Sequence, residues 1–300
     1  WQLVLRSKNI FGPFEEKIVL HQGNSIINGP HQGGFIENNG ETWFIHFQDK
    51  GFFGRIVHLQ PVNWIDDWPI MGIDTNNDGI GEPVLEFKKP KSSFQSEPFS
   101  PKVSDDFLNK ELSLQWQWNA NPNKDWYSFE EDSYLRLYAY NNPEETRNII
   151  YTLPNILTMK ISAPQISYTA KLSFYSENFG DKTGIVILGS NYYSVNLVVG
   201  KDNQYYLNLI EGTSQDKLIV ENTIFACKAT NNIYLKVNIF QNSTITFEYS
   251  TDGNNFISLD GKYLGTSNEW VGGKFGLFCK SSNFNNEGFV DIDWVLAEEF

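Results

Sequence analysis

FIENNGETWFIHF, residues 35–47, reads as a β-hairpin. Asn39-Gly40 supplies the positive φ angles of a tight turn, and the arms on either side carry strand-forming aromatic and β-branched residues. The same texture continues outward from it. Short alternating or β-branched runs are separated by Gly, Asn, Asp and Pro clusters, and helical periodicity is nearly absent. In the front of the chain the pattern predicts strands over 2–6, 17–20, 34–37, 42–48, 55–61 and 83–87. The fold class is all-β.

Residues 88–104, KKPKSSFQSEPFSPKVS, hold three prolines and five serines and read as an extended crossover between domains. This divides the chain into 1–90, a linker over 91–104, and 105–300. The back part predicts strands over 134–138, 149–151, 169–174, 184–188, 192–199, 205–210, 217–220, 233–240, 244–250, 274–278 and 288–295. IYLKVNIF and TITFEYS alternate apolar with polar residues, as a sheet covered on one side requires. Their turn spacing suits a jelly-roll sandwich of two sheets.

The 300 residues suffice for about two domains. Hydrophobic residues make up 40% and aromatics 15%, enough for a sizeable core, and disorder is not expected. Net charge is −13 with no basic run, which argues against nucleic acid and anionic membrane and for a neutral polar ligand. No apolar run reaches the length of a bilayer-spanning helix, and no signal-peptide pattern opens the chain, which leaves the compartment open. The chain opens on WQLVLRS rather than Met, in mid-pattern, so a processed, trimmed or incomplete polypeptide is expected. Cys227 and Cys279 each sit in an apolar run and read as buried free thiols.

All four histidines (His21, His31, His46 and His58) fall in the first 58 residues. A closed zinc site is disfavoured, since no Cys lies nearby and no His pair has helical i, i+4 spacing. His46 between aromatics reads as a core histidine bonded to backbone, and His21 as a loop residue. His31 differs: Gly-Pro precedes it and Gln-Gly-Gly follows, and a ring in such a glycine-bracketed turn can line a pocket.

Three stretches of the front part, WQLVLRSKNIFGPFEEKIVL (1–20), NGPHQGGFIENNGETWFIHFQDKGFFGRIVHLQPVNW (28–64) and DWPIMGIDTNNDGIGEPV (67–84), carry a family resemblance. They resemble the last part of the five-bladed β-propeller of glycoside hydrolase family 43, in its β-xylosidase and α-L-arabinofuranosidase-like members. LQWQWNANPNKDWYS, FEYSTDGNNF, GKFGLFC and VDIDWV resemble the C-terminal, concanavalin A-like sandwich of the same members. The resemblance implies a partial propeller of about two blades followed by that sandwich. It also implies inverting hydrolysis of xylo- or arabino-oligosaccharides, in which one carboxylic acid protonates the leaving oxygen and a carboxylate activates water. In the family those carboxylates, and an aspartate that tunes the acid, precede the segment matching Trp1 onward. No catalytic residue is therefore expected in this chain, and the missing blades or another chain become expected partners.

What carries over is supporting machinery. His31 matches a histidine near the propeller axis, Gln32 follows it toward the same pocket, and Arg55 matches an arginine that reaches substrate. His58 reads as structural. No cofactor is required by the resemblance, although it allows Ca2+ at the propeller axis. The loop holding Asp74, Asn76 and Asp78 imitates half of a calcium loop, but position twelve is Leu85 and an ordinary Asp/Asn turn is the favoured reading. Glu15-Glu16, Asp66-Asp67 and Asp49 read as solvent-facing carboxylates. Trp116, Trp118, Trp126 and Tyr127 read chiefly as packing residues, with sugar stacking as the alternative. The competing function is a non-catalytic carbohydrate-binding sandwich.

Overall fold

The structure, a computed structural model, describes residues 1–92, 97, 99–100, 102–130, 134–143, 149–215, 218–268, 271–283 and 287–300. It divides into two compact units, Trp1–Phe99 and Ser100–Phe300. Every regular element longer than a single 3-10 turn is a strand among the described residues.

The first unit begins with a two-stranded ribbon, β1 (Gln2–Arg6) and β2 (Glu15–Leu20). A four-stranded antiparallel meander follows: β3 (Gly34–Asn38), β4 (Glu41–Asp49), β5 (Arg55–Ile65) and β6 (Trp68–Met71). Its strand order, each strand beside the next in sequence, is that of a propeller blade. The β3–β4 hairpin turns on Asn39 (φ 50°) and Gly40 (φ 75°), as its turn chemistry requires. Val19 and Leu20 of β2 join Phe44, Val62, Ile70 and Met71 in one core, all at most 9% exposed. On the other side of the meander an aliphatic strip is left uncovered. Ile36, Ile45, Val57 and Leu59 are 42, 37, 64 and 38% exposed, and register puts Ile45 opposite Leu59 and Phe47 opposite Val57.

Two strand expectations fail here. Residues 83–87 form no strand; Val84 is instead held by hydrogen bonds to the Gln60 side chain. WIDDWP, where no strand was expected, is a hairpin. Asp66 (φ 51°) and Asp67 (φ 61°) form its two-residue turn, and Ile65 pairs with Trp68. Aspartate tolerates the left-handed region, which lets a charged pair serve where glycine is usual.

The predicted linker lies partly outside the described residues, at 93–96, 98 and 101. Lys91 is tied to the hairpin of the first unit: its carbonyl accepts from Asn38 at 2.6 Å, and its N–H donates to Glu41 at 2.9 Å. Ser104 is tied to the second unit, where its hydroxyl accepts from the Ala297 N–H at 2.9 Å.

The second unit contributes β7 (Gln117–Trp118), β8 (Tyr127–Phe129), β9 (Leu135–Tyr138), β10 (Leu157–Lys160) and β11 (Ile166–Tyr175). Then come β12 (Lys182–Leu188), β13 (Tyr192–Val199), β14 (Tyr205–Gln215), β15 (Leu218–Ala229) and β16 (Asn232–Ile239). The last are β17 (Thr244–Ser250), β18 (Ile257–Ser258), β19 (Tyr263–Leu264), β20 (Lys274–Lys280) and β21 (Phe289–Glu299). They build a seven-stranded sheet, β15-β14-β13-β12-β20-β10-β7, and an eight-stranded one, β18-β17-β16-β11-β21-β9-β8 with β19 beside β17. Alternation buries one face of the central strands between the sheets. Tyr168 of β11 stacks on Phe275 of β20 with ring centres 4.6 Å apart, one ring from each sheet.

Residues 149–151, expected as a strand, belong instead to a segment that covers the outer face of the seven-stranded sheet, with Ile150, Leu153 and Ile156 on Val186, Leu188 and Phe278. Cys279 is buried, but Cys227 is only half-buried because β15 is an edge strand; both thiols are free. Lys217, where one strand was expected to begin, lies outside the described residues. Trp116 and Trp126 are 7% and 5% exposed, which supports their packing role. The Trp116 indole N–H donates to the buried Asp105 carboxylate at 2.9 Å. Asp105 also accepts from Ser113 and the Phe107 N–H, and it pairs with Val295 through backbone hydrogen bonds. This pins the start of the unit to its last strand.

Candidate functional site

The predicted pocket residues come from two places in the first unit: the 24–33 loop and the β4–β5 pair. The loop is fastened to the end of β4. The Asn28 side chain donates to the Asp49 carbonyl (3.1 Å) and accepts from its N–H (3.2 Å), and Gln48 donates to the Ile26 carbonyl at 2.8 Å. Close approach demands a glycine at 33, where a Cβ would stand 2.2 Å from the Ile45 carbonyl oxygen and 2.3 Å from the Phe44 ring.

This docking brings His31 to Phe47, the rings meeting edge to face at 5.1 Å. The His31 Nδ1 lies 2.5 Å from the Gly29 carbonyl, an oxygen that can only accept, so Nδ1 is the donor and the ring is fixed to its own turn. Arg55, opposite Asp49 in the β4–β5 register, places its guanidinium over the same Phe47 ring at 4.3 Å. The structure thus joins His31 and Arg55 through a residue the sequence reading passed over. The signal for Phe47 was present: strand alternation puts it on the face opposite Phe44 and His46. Gln32 sits in the turn with φ 54° and is exposed.

On the other face His46, 3% exposed, lies between the rings of Phe44 (5.9 Å) and His58 (5.7 Å). Its Nδ1 donates to the Phe47 carbonyl at 3.1 Å, as expected of a core histidine. Burial lowers its pKa below the ordinary histidine value, the Phe47 carbonyl opposing and His58 and His31 adding to the effect. Burial, then Lys50, lowers that of His58, whose Nε2 meets the Gln48 amide oxygen at 3.2 Å. Both rings are neutral at pH 7. Imidazole nitrogens with two uncharged oxygens do not make the oxygen cage that Ca2+ needs, so the His46 and His58 pair is a packing cluster. His21 approaches Glu82 at 3.8 Å and belongs to neither cluster.

The Asp74 loop spends its oxygens on its own backbone. Asp74 accepts from the Asp78 and Gly79 N–H groups, Asn76 from that of Asp78, and Asp78 from that of Ile80, at 2.8–3.2 Å. It is an Asx-type turn. Among the described residues no group of three or more His, Cys, Asp or Glu is placed to hold a metal.

Glu15, Asp66 and Asp67 do line one groove of about 840 Å3, together with Arg6 and Lys8. A general acid needs burial to keep its proton at neutral pH. Here Glu15 is 68% exposed and accepts two N–H groups from Arg6 at 2.7 and 2.9 Å, and both aspartates are exposed turn residues. The groove offers no acid and base pair.

Residues 104–298 match the family described as the beta xylosidase C-terminal concanavalin A-like domain. The chain belongs to this family. A putative beta-xylosidase of Xylanibacter ruminicola is 35% identical over 92% of the chain and 49% of its own length. A beta-xylosidase of Formosa agariphila is 30% identical over 99% of the chain and 53% of its own length. The chain thus spans about half the length of these curated relatives. Among solved structures, a bifunctional GH43-CE protein of Bacteroides eggerthii superposes with a TM-score of 0.83 at 26% identity, over 99% of the chain and 37% of that protein. The family match accounts for the sandwich; the longer alignments take in the first unit as well.

Proposed function

We propose that this chain is the sandwich-bearing portion of a glycoside hydrolase that acts on xylan- or arabinoxylan-derived oligosaccharides. In that enzyme, hydrolysis of β-xylosidic or α-L-arabinofuranosidic bonds proceeds with inversion. The observation that carries the reading is that relatives named beta-xylosidase align along 92–99% of the chain, so both units share their ancestry. In this reading His31, Gln32 and Arg55 form part of the wall of the sugar pocket. Phe47 holds the Arg55 guanidinium flat, ready to donate to sugar hydroxyls or a neighbouring carboxylate. The acid and base carboxylates come from further propeller blades: Glu15, Asp66 and Asp67 are exposed, Glu41 pairs with Lys88 and Lys91, and the buried Glu82 is taken up by His21 and the Asn24 N–H. The bare row of Ile36, Ile45, Val57 and Leu59 supports such blades, or another chain carrying them, as the partner.

The test is hydrolysis of aryl β-xyloside and aryl α-L-arabinofuranoside by the chain alone and after addition of the propeller portion of a relative. Turnover is expected only in the second case. Turnover by the chain alone overturns the placement of the carboxylates. None from a folded, assembled pair overturns the reading itself.

A further inference from the structure

In the second unit, the outer face of the seven-stranded sheet is closed by the 149–156 segment. Ile150, Leu153 and Ile156 lie on it, and Glu221 latches it by accepting from the Ile150 N–H at 2.5 Å, the Tyr192 hydroxyl at 2.7 Å and Lys182 at 2.9 Å. The outer face of the eight-stranded sheet is different. Register sets Thr246, Asn238, Ser167 and Glu298 side by side across β17, β16, β11 and β21. Their inward neighbours Val237, Ile239, Ile245 and Phe247 are fully buried, so the row lies on the outer face by alternation; Thr246, Asn238 and Glu298 reach solvent there, while Ser167 is covered at 3% exposed and donates to the Glu298 carbonyl.

Phe240, just past the end of β16 and two residues beyond Asn238, lines two shallow grooves. One, about 430 Å3, is lined by Ser167, Lys236, Asn238 and Glu298; the other, about 400 Å3, by Gln165, Gln241, Asn242, Thr244, Thr246 and Lys262. Each has the size of a small-ligand site. The ring is held in place before any ligand arrives. Phe240 N–H donates to the Thr244 carbonyl at 2.9 Å, its carbonyl accepts from Ser243 at 2.8 Å, and the Phe300 ring meets it edge-on at 5.4 Å.

Amide and hydroxyl side chains both donate and accept, as sugar hydroxyls do, and an apolar ring between them suits the C–H face of a pyranose. Lys236 and Lys262 balance Glu298 and Glu299 locally, while the net charge of −13 disfavours polyanions. We propose that this face binds a neutral β-linked pentopyranose chain, laid across Phe240 with sugar units in both grooves. The choice of xylan as that chain rests on the proposed function; the binding surface does not.

The experiment is retention of the 300-residue chain on insoluble xylan and calorimetric titration with xylohexaose. The native chain is expected to be retained, Phe240→Ala to weaken binding about ten-fold, and Asn238→Ala by about three- to ten-fold, the loss of one or two neutral hydrogen bonds. Asn238 lies on the outward face, so its variant should melt as the native chain does and decides the matter if Phe240→Ala fails to fold. Native-like binding by folded variants overturns the proposal, as does a native chain that xylan does not retain. Turnover of aryl β-xyloside by the assembled enzyme does not use this surface. Loss of retention with turnover intact therefore separates a failure here from a failure of the proposed function.

Discussion

The guanidinium carbon of Arg55 lies 4.3 Å from the centre of the Phe47 ring. A planar cation over an aromatic face is attracted by the ring quadrupole and held in one orientation. Arg55→Lys keeps the charge but loses the plane and the paired donors. In the assembled enzyme, kcat/KM on aryl β-xyloside should fall about ten-fold or more, equivalent to about 1.4 kcal/mol. A lysine variant with native kcat/KM removes Arg55 from the pocket.

Burial holds the folded-state pKa of His46 and His58 below the ordinary value. The unfolded chain takes up protons near the unperturbed pKa of about 6.5, where these buried rings remain neutral. Their contribution to stability is thus present above about pH 6.5 and lost as pH falls through the lowered folded values. The unfolding transition of the first unit should drop in temperature from pH 7.5 to pH 5, and less so in His46→Phe, which keeps a ring in the stack. Equal pH dependence in the native chain and the variant would remove His46 as the cause.

Gly33→Ala should destabilise the first unit by about 1–3 kcal/mol, the usual cost of forcing extra volume into packed surroundings. The new Cβ has only the Ile45 carbonyl and the Phe44 ring to displace. Urea unfolding reads the loss, and the His31 ring resonances should shift as the loop lifts from β4.

Asp105→Ala leaves the Trp116 indole N–H, the Ser113 hydroxyl and the Phe107 N–H without their acceptor. A loss on the order of 2–4 kcal/mol is expected for the second unit. Trp116 fluorescence should shift red, and Asp105→Asn, which keeps one acceptor oxygen, should recover part of the loss.

The sequence was most legible where the deciding chemistry is local. Asn39-Gly40 fixes its own turn, and the alternation in β16 and β17 reports which side is buried. It misled where burial and conformation part company. Ile149 to Tyr151 is apolar because it lies on a sheet, not because it is part of one. Trp68–Met71 was passed over because two aspartates and a proline look like a loop, though aspartate at positive φ closes a hairpin well. The contact of His31 and Arg55 with Phe47 depends on Asn28 and Gln48 anchoring a loop over twenty residues away in sequence. No local pattern encodes such an anchor.

The row of Ile36, Ile45, Val57 and Leu59 also governs how this chain behaves in the test tube. Copies crowded together at high concentration will find one another through it, since nothing else in dilute buffer can shield those four aliphatic groups. Light scattering that climbs with concentration, and quietens when a mild non-ionic detergent is present, is the everyday signature of such a strip.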